Sequence, residues 1–418
     1  MTNEPIKTDK LSRDFLLALP KTDLHVHLDG SIRIPTLIEL ARQYHVQLPS
    51  YTEAGLKELV FKERYKDLAD YLTGFQYMTA VLQSEPGLER VAYELALDNQ
   101  LEGVRYVEVR FAPQLHVHRH LNPINVMRAV DRGMRRARDE FNRRPEVISG
   151  QEPPFEYGII VCAMRAFNEH FSEYYADLLR AHQFTPKNQV FGLASLELAR
   201  AAVHVRDEYD VPIVGLDLAG EEKGYPPDDH RLAYEYAHKN FMKKTVHAGE
   251  AYGPESIFQA ITECYADRIG HGYFLLDSSM VVDPVIKDRE EYVSSLSEYI
   301  ADRRITIEVC LTSNLQTIPS LKDLSQHSFN KLREARLSTT LCTDNRTVSN
   351  TTVTNELDLA VRFCGVDARV LKSIIIYGFK RSFFPGSYLV KRQYVRQIID
   401  YYEKIERKFL GQTVEGAA

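Results

Sequence analysis

Apolar and polar positions alternate most sharply at Lys21–Gly30, K-T-D-L-H-V-H-L-D-G, where Leu24, Val26 and Leu28 interleave with His25 and His27. A period of two predicts a β-strand with both imidazoles on one side, ended by a turn at Asp29–Gly30. Further short apolar runs follow at Val104–Phe111, Tyr157–Ala163, Pro212–Ala219, Lys244–His247, Asp267–His271, Ile305–Leu311 and Ser338–Thr343. The third, fourth, seventh and eighth runs are almost continuously apolar, the pattern of strands buried on both faces.

Helical periodicity fills the intervals, as in Ser31–Tyr44, Tyr174–Gln183, Leu196–Tyr209, Asp229–Phe241 and Pro254–Cys264. Strands alternating with helices, with no Pro/Gly/Ser-rich linker, predict one α/β domain over residues 1–418, a (β/α)8 TIM-type barrel. Tyr51–Leu101 is helical almost throughout and too long for a simple crossover. It predicts a helical insertion, about residues 45–101, over the active-site end as a substrate cover. Tyr388–Leu410 predicts an extra C-terminal helix with Val395, Ile398, Ile399, Tyr402, Ile405 and Phe409 on one face. That face packs on its own barrel or on a second copy, so the chain is expected to be a monomer or homodimer.

Composition narrows the function classes. The 44% hydrophobic and 26% charged residues are those of an ordinary globule, and the net charge of −6 argues against a nucleic-acid or membrane-surface protein. The one basic stretch, Arg128–Arg144, is interleaved with Asp131, Asp139 and Glu140 and reads as a solvated helix face. No apolar run reaches the ~20 residues of a membrane span. The polar stretch Met1–Arg13 lacks a signal-peptide core, and five widely spaced cysteines fit reduced, buried thiols; both point to a cytoplasmic location.

The polar residues of interest fall at the C-terminal ends of the expected strands, where barrel enzymes carry their chemistry. These are His25 and His27, His247 in H-A-G-E, His271 in I-G-H-G-Y, and Asp344 in C-T-D-N-R. Three neutral imidazoles and one carboxylate from this set make a divalent site that suits zinc. A second group, His116, His118 and His120, has clip-like spacing, but the Arg119 cation among them opposes a metal. It reads as structural or surface, with His116 at the barrel mouth.

In combination, H-x-H-L-D-G, D-L-A-G-E-E, H-A-G-E, I-G-H-G and the late T-D resemble the adenosine deaminase family of zinc aminohydrolases, over nearly the whole chain. The resemblance implies one zinc per chain on His25, His27, His247 and Asp344. It implies Glu250 as proton shuttle and His271 as the group that orients the attacking water. Gly220 would donate its backbone N–H to purine N3, and Asp29 would partner the ribose 5′-hydroxyl. Asn345 stands where many relatives carry an aspartate facing purine N7, and would donate its amide there. The chemistry fits these roles. Replacing the 6-amino group of a purine by hydroxyl needs a nucleophile at neutral pH and an acid that protonates N1, and Glu250 lies three residues beyond a ligand. The H-x-E and P-C-x-x-C signature of cytidine-type deaminases is absent. The expected substrate is a small purine nucleoside, adenosine or 2′-deoxyadenosine. Rival readings are a 5′-modified adenosine, aminodeoxyfutalosine or adenine as substrate, and a silent nucleoside-binding barrel.

Overall fold

Parallel strands β1 (Lys21–His27), β2 (Val104–Phe111), β3 (Glu156–Met164), β4 (Ile213–Ala219), β5 (Lys243–Ala248), β6 (Arg268–His271), β7 (Thr306–Val309) and β8 (Ser338–Leu341) pair in chain order in a computed structural model describing residues 11–411. Of the polar stretch Met1–Arg13, read above as lacking a signal-peptide core, residues 1–10 lie outside the described residues. The ring closes where Val26 bridges Asp344: His27 N–H donates to the Asp344 carbonyl at 2.7 Å and Asp344 N–H to the His25 carbonyl at 2.8 Å. The expected (β/α)8 barrel is therefore present, and its closure uses the backbone of site residues.

Element ends differ from the sequence reading in two instructive places. The apolar run I-T-I-E-V-C-L does not continue as strand to Leu311; β7 stops at Val309, and Leu311–Thr317 is a helix. Its first turn is fixed by Glu356, which accepts from Thr312 N–H at 3.2 Å and from the Thr312 hydroxyl. The helix expected from Leu196 begins earlier, at Lys187 directly after Pro186: only its first three residues are exposed, and the added turns bury Val190, Phe191 and Ala194.

The stretch after β1 resolves into Glu53–Leu59, Leu68–Leu72, Phe75–Val81 and Glu85–Leu101. Thr52, Asp67 and Ser84 cap three of them through side-chain oxygens. The last packs against Pro123–Asn142, where Arg132 donates to Glu85 and Glu89 at 2.8 Å each and Arg136 lies over the Tyr93 ring. The basic stretch is thus engaged with a neighbouring helix. At the opposite end of the barrel, Tyr388–Leu410 buries Tyr394, Ile398, Tyr402 and Ile405, and the Tyr394 hydroxyl donates to the Arg105 carbonyl at 2.6 Å. All five cysteines are buried and unpaired. Among the described residues no helix is long and apolar enough to cross a membrane.

Candidate active site

A cavity of about 1070 Å³ opens at the C-terminal ends of the strands. Its floor holds the strand-end polar residues, and its walls include Leu68, Tyr71, Leu72 and Phe75 from the segment after β1 and Phe167 and Phe191 opposite. Every residue that the family resemblance gave a site role lines this cavity except His25, which is fully buried beneath it.

The imidazoles converge on one point. Ligating atoms of His25, His247, His271 and Asp344 lie within 4.8 Å of one another. His27 joins them, its Nε2 3.2 Å from His247 Nε2 and 3.5 Å from Asp344 Oδ1. The outward nitrogens are already assigned: His25 Nδ1 lies 2.8 Å from Glu308 Oε2, and His247 Nδ1 lies 3.1 Å from Asp217 Oδ2. Each carboxylate accepts the Nδ1 proton and leaves Nε2 as a bare lone pair. Accordingly His25 Nε2 is buried without a hydrogen-bond partner. Asp344 Oδ2 accepts from the Ser313 hydroxyl at 2.6 Å, which turns Oδ1 toward His25 (3.4 Å) and His27 (3.5 Å). Nitrogens held about 2.0–2.1 Å from one tetrahedral zinc sit roughly 3.3 Å apart, so this donor set fits that ion.

Burial, reinforced by the neighbouring imidazoles, holds His27 and His271 well below the ordinary histidine value, and burial also lowers His247. That direction favours the neutral ring a metal ligand needs. His25 runs the other way: burial and Arg110 lower it, but its contacts with the Asp344 and Glu308 carboxylates outweigh them and raise it. At Glu250 burial, then the charges of Asp344 and Glu222, push the carboxyl well above the usual range. Its Oε1 lies 3.6 Å from His271 Nε2. A carboxylic acid that keeps its proton beside a cluster of lone pairs is equipped for general acid–base work.

Several groups that build the site were not singled out from the sequence. Glu222 is the clearest: its carboxylate accepts from the backbone N–H of Gly249 (2.7 Å), Glu250 (3.0 Å), Ala251 (2.7 Å) and Tyr252 (3.0 Å), and from the Ser256 hydroxyl (2.6 Å). It fixes the loop that aims Glu250. Below the histidines, Arg110 donates to Asp217 (2.8 Å) and Glu308 (2.9 Å), tying the two histidine-orienting carboxylates together. Charges inside apolar strands, Arg110 in V-E-V-R-F and Glu308 in I-T-I-E-V, were the signal that could have found them.

The remaining predicted residues also face the cavity. Asp29 is buried with Oδ1 unpartnered, and burial, then Asp344, raises its carboxyl to about 7. Gly220 directly follows β4 at φ 102°, a backbone conformation that favours glycine. Asn345 donates its amide to the Tyr71 hydroxyl at 2.8 Å, which in turn bonds Ser349 at 2.8 Å. One amide hydrogen is therefore committed to the protein and the second is left over. The histidines after β2 do not assemble: His116 is buried against Phe111, away from the cavity wall, while His118 reaches the Gln83 carbonyl at 3.2 Å and His120 is exposed.

The sequence profile of the family described as adenosine deaminase matches residues 20–197 and 192–401. A curated relative named adenosine deaminase, from Mycobacterium ulcerans, is 33% identical over 380 residues, covering 90% of this chain and 93% of the relative. Adenosine deaminase 1 of Streptomyces coelicolor is 34% identical over 381 residues, covering 90% of this chain and 85% of its own. Among solved structures, a Burkholderia ambifaria amidohydrolase with bound zinc superposes with a TM-score of 0.76 at 19% identity, covering 99% of this chain and 97% of that one. At that identity the likeness establishes the fold.

Proposed function

The chain belongs to the adenosine deaminase family, and from that premise we propose that it hydrolyses adenosine and 2′-deoxyadenosine to inosine, 2′-deoxyinosine and ammonia, with one zinc ion per chain on His25, His27, His247 and Asp344. The observation that carries this reading is the buried Glu250 carboxyl, 3.6 Å from His271 Nε2, set beside convergent imidazole and carboxylate donors in one apolar-walled cavity. Zinc held there would supply a nucleophile at neutral pH by making water more acidic.

The protein's own groups do the rest. Gly220 and Asn345 bind the purine edges, at N3 and N7, and Asp29 holds the ribose 5′-hydroxyl. Asp29's unpartnered, buried oxygen supports that last role, since a hydroxyl donor would satisfy it. Glu250 gives its proton to N1, which lets C6 accept the attacking oxygen. As carboxylate it takes a proton from the water and delivers it to the 6-amino group, so ammonia departs neutral, and the proton left on the new C6 oxygen returns Glu250 to its acid form as the carbonyl forms. His271 orients the attacking water. Helices over the cavity exclude bulk water, which strengthens each of these contacts. The site is complete within one chain, and the C-terminal helix is occupied by its own barrel, so the working unit is a monomer or homodimer. Unpaired, buried cysteines support a cytoplasmic setting.

An ultraviolet assay of adenosine, 2′-deoxyadenosine, adenine, AMP and 5′-modified adenosines tests the substrate assignment. The two nucleosides should give the highest kcat/KM. Faster turnover of adenine, or no turnover of any adenine compound, would overturn it.

A further inference from the structure

His271 borders the metal cluster closely enough to be a fourth imidazole ligand, and what keeps it out lies outside the cavity. The backbone N–H of Phe329 can only donate, and it donates to His327 Nδ1 at 3.0 Å. A neutral imidazole that accepts at Nδ1 carries its proton on Nε2. His327 Nε2–H therefore donates to Asn314 Oδ1 at 3.2 Å. With its oxygen so engaged, the Asn314 amide presents its NH₂ to His271 Nδ1 at 3.3 Å. His271 Nδ1 is then an acceptor, and the ring proton sits on Nε2, the atom 3.6 Å from Glu250 Oε1.

Every member of this relay is buried, so no solvent competes for its bonds: Asn314 and Phe329 are 0% exposed, and His271 and His327 1%. Burial drives His327 down to about 3, so it stays neutral across the working range and the polarity of the relay does not change with pH. The Tyr273 ring packs edge-on against His327 with centroids 5.1 Å apart, holding the imidazole plane. By contrast, His25 and His247 receive a carboxylate at Nδ1 and so present a lone pair at Nε2. An amide donor at one ring and carboxylate acceptors at the others produce opposite tautomers from the same residue type.

We propose that His327 and Asn314 are positioning residues that hold His271 as its Nε2–H tautomer, making it a donor to the reacting water and barring it from coordinating the metal. Only the activity arm of the following test rests on the deaminase reading.

The test uses zinc-loaded protein labelled with ¹⁵N-histidine, the His271 signals being identified by their loss in His271→Gln. Wild type should show a proton on His271 Nε2 and a bare Nδ1. Asn314→Asp, isosteric but able only to accept toward the ring, should move a proton onto Nδ1 and lower kcat tenfold or more with zinc still at one per chain. His327→Phe should leave the two tautomers mixed, with a similar fall in kcat, and His327→Gln, which restores an N–H donor, should recover part of it. A proton on Nδ1 in wild type, or a bare Nδ1 and wild-type kcat in Asn314→Asp, would overturn the proposal. Wild-type protein with the Nε2–H tautomer but no turnover of adenosine would instead contradict the deaminase reading alone.

Discussion

Glu222 concentrates hydrogen bonds from the Gly249–Tyr252 loop and Ser256 on one carboxylate, and Glu250 sits in the middle of that loop. Glu222→Gln replaces one accepting oxygen by an NH₂ that points at backbone N–H groups. Hydrogen bonds to a charged group contribute about 1.5–3 kcal/mol each. Their loss should misplace Glu250, lowering kcat roughly 10–100-fold if about one bond's worth of that energy is lost. Zinc content should be unchanged; a variant with wild-type kcat would show that the loop holds its shape without this anchor. At this scale the sequence was uneven. That His25, His27, His247, His271 and Asp344 gather at one end of the barrel was legible because each falls at a strand end, whereas the part given to each of them and to Glu250 came from the family resemblance. Asn314, His327 and Glu222 were not, because their role is to orient another residue. Nothing in the linear order places position 327 beside 314 and 271.

Strands and helices were legible where burial imposes a period, and their ends were misread where it does not. Cys310–Leu311 continue an apolar run, yet the chain turns into a helix there because Glu356 captures its first turn. The helix Leu68–Leu72 had visible periodicity, but its tie to β8 through Tyr71 did not show in the pattern. The Tyr71 hydroxyl accepts from Asn345, and the Asn345 Oδ1 lies where a Cβ on Gly30 would be only 1.8 Å away, so the amide is held between the cover and the β1 turn. If the second amide hydrogen serves purine N7, 7-deazaadenosine should lose about 1–3 kcal/mol in kcat/KM relative to adenosine. Tyr71→Phe, which frees the amide to rotate, should shrink that difference. Equal kcat/KM for the two nucleosides in wild type would make Asn345 a residue of the turn alone.

Over the whole molecule, one buried ionic network serves both the barrel and the site. Arg268 donates to Glu308 at 2.6 Å and pairs with Glu108, while Arg110 bridges Glu308 and Asp217 beneath the histidines. Each charge of such a network is balanced by its neighbours, and breaking one member leaves an uncompensated buried charge. A separate buried group makes stability depend on pH. Burial, against hydrogen bonds from Thr312 and Thr351, raises the Glu356 carboxyl from its ordinary 4.5 to about 7. A raised carboxyl favours the folded state below its unfolded value, and that contribution is lost as pH rises through about 7. The amount is on the order of 3 kcal/mol. Denaturant unfolding should therefore show wild type losing more stability between pH 5 and pH 8 than Glu356→Gln. Parallel curves would assign the pH dependence elsewhere.

The central claim, hydrolytic deamination with Glu250 as the proton carrier over a zinc site, is tested most directly by one comparison on zinc-loaded protein. Wild type should release ammonia and inosine from adenosine in equal amounts with one zinc per chain. Glu250→Gln should retain its zinc and its unfolding transition while kcat falls by on the order of 10²–10⁴. Wild-type turnover in Glu250→Gln would contradict the account.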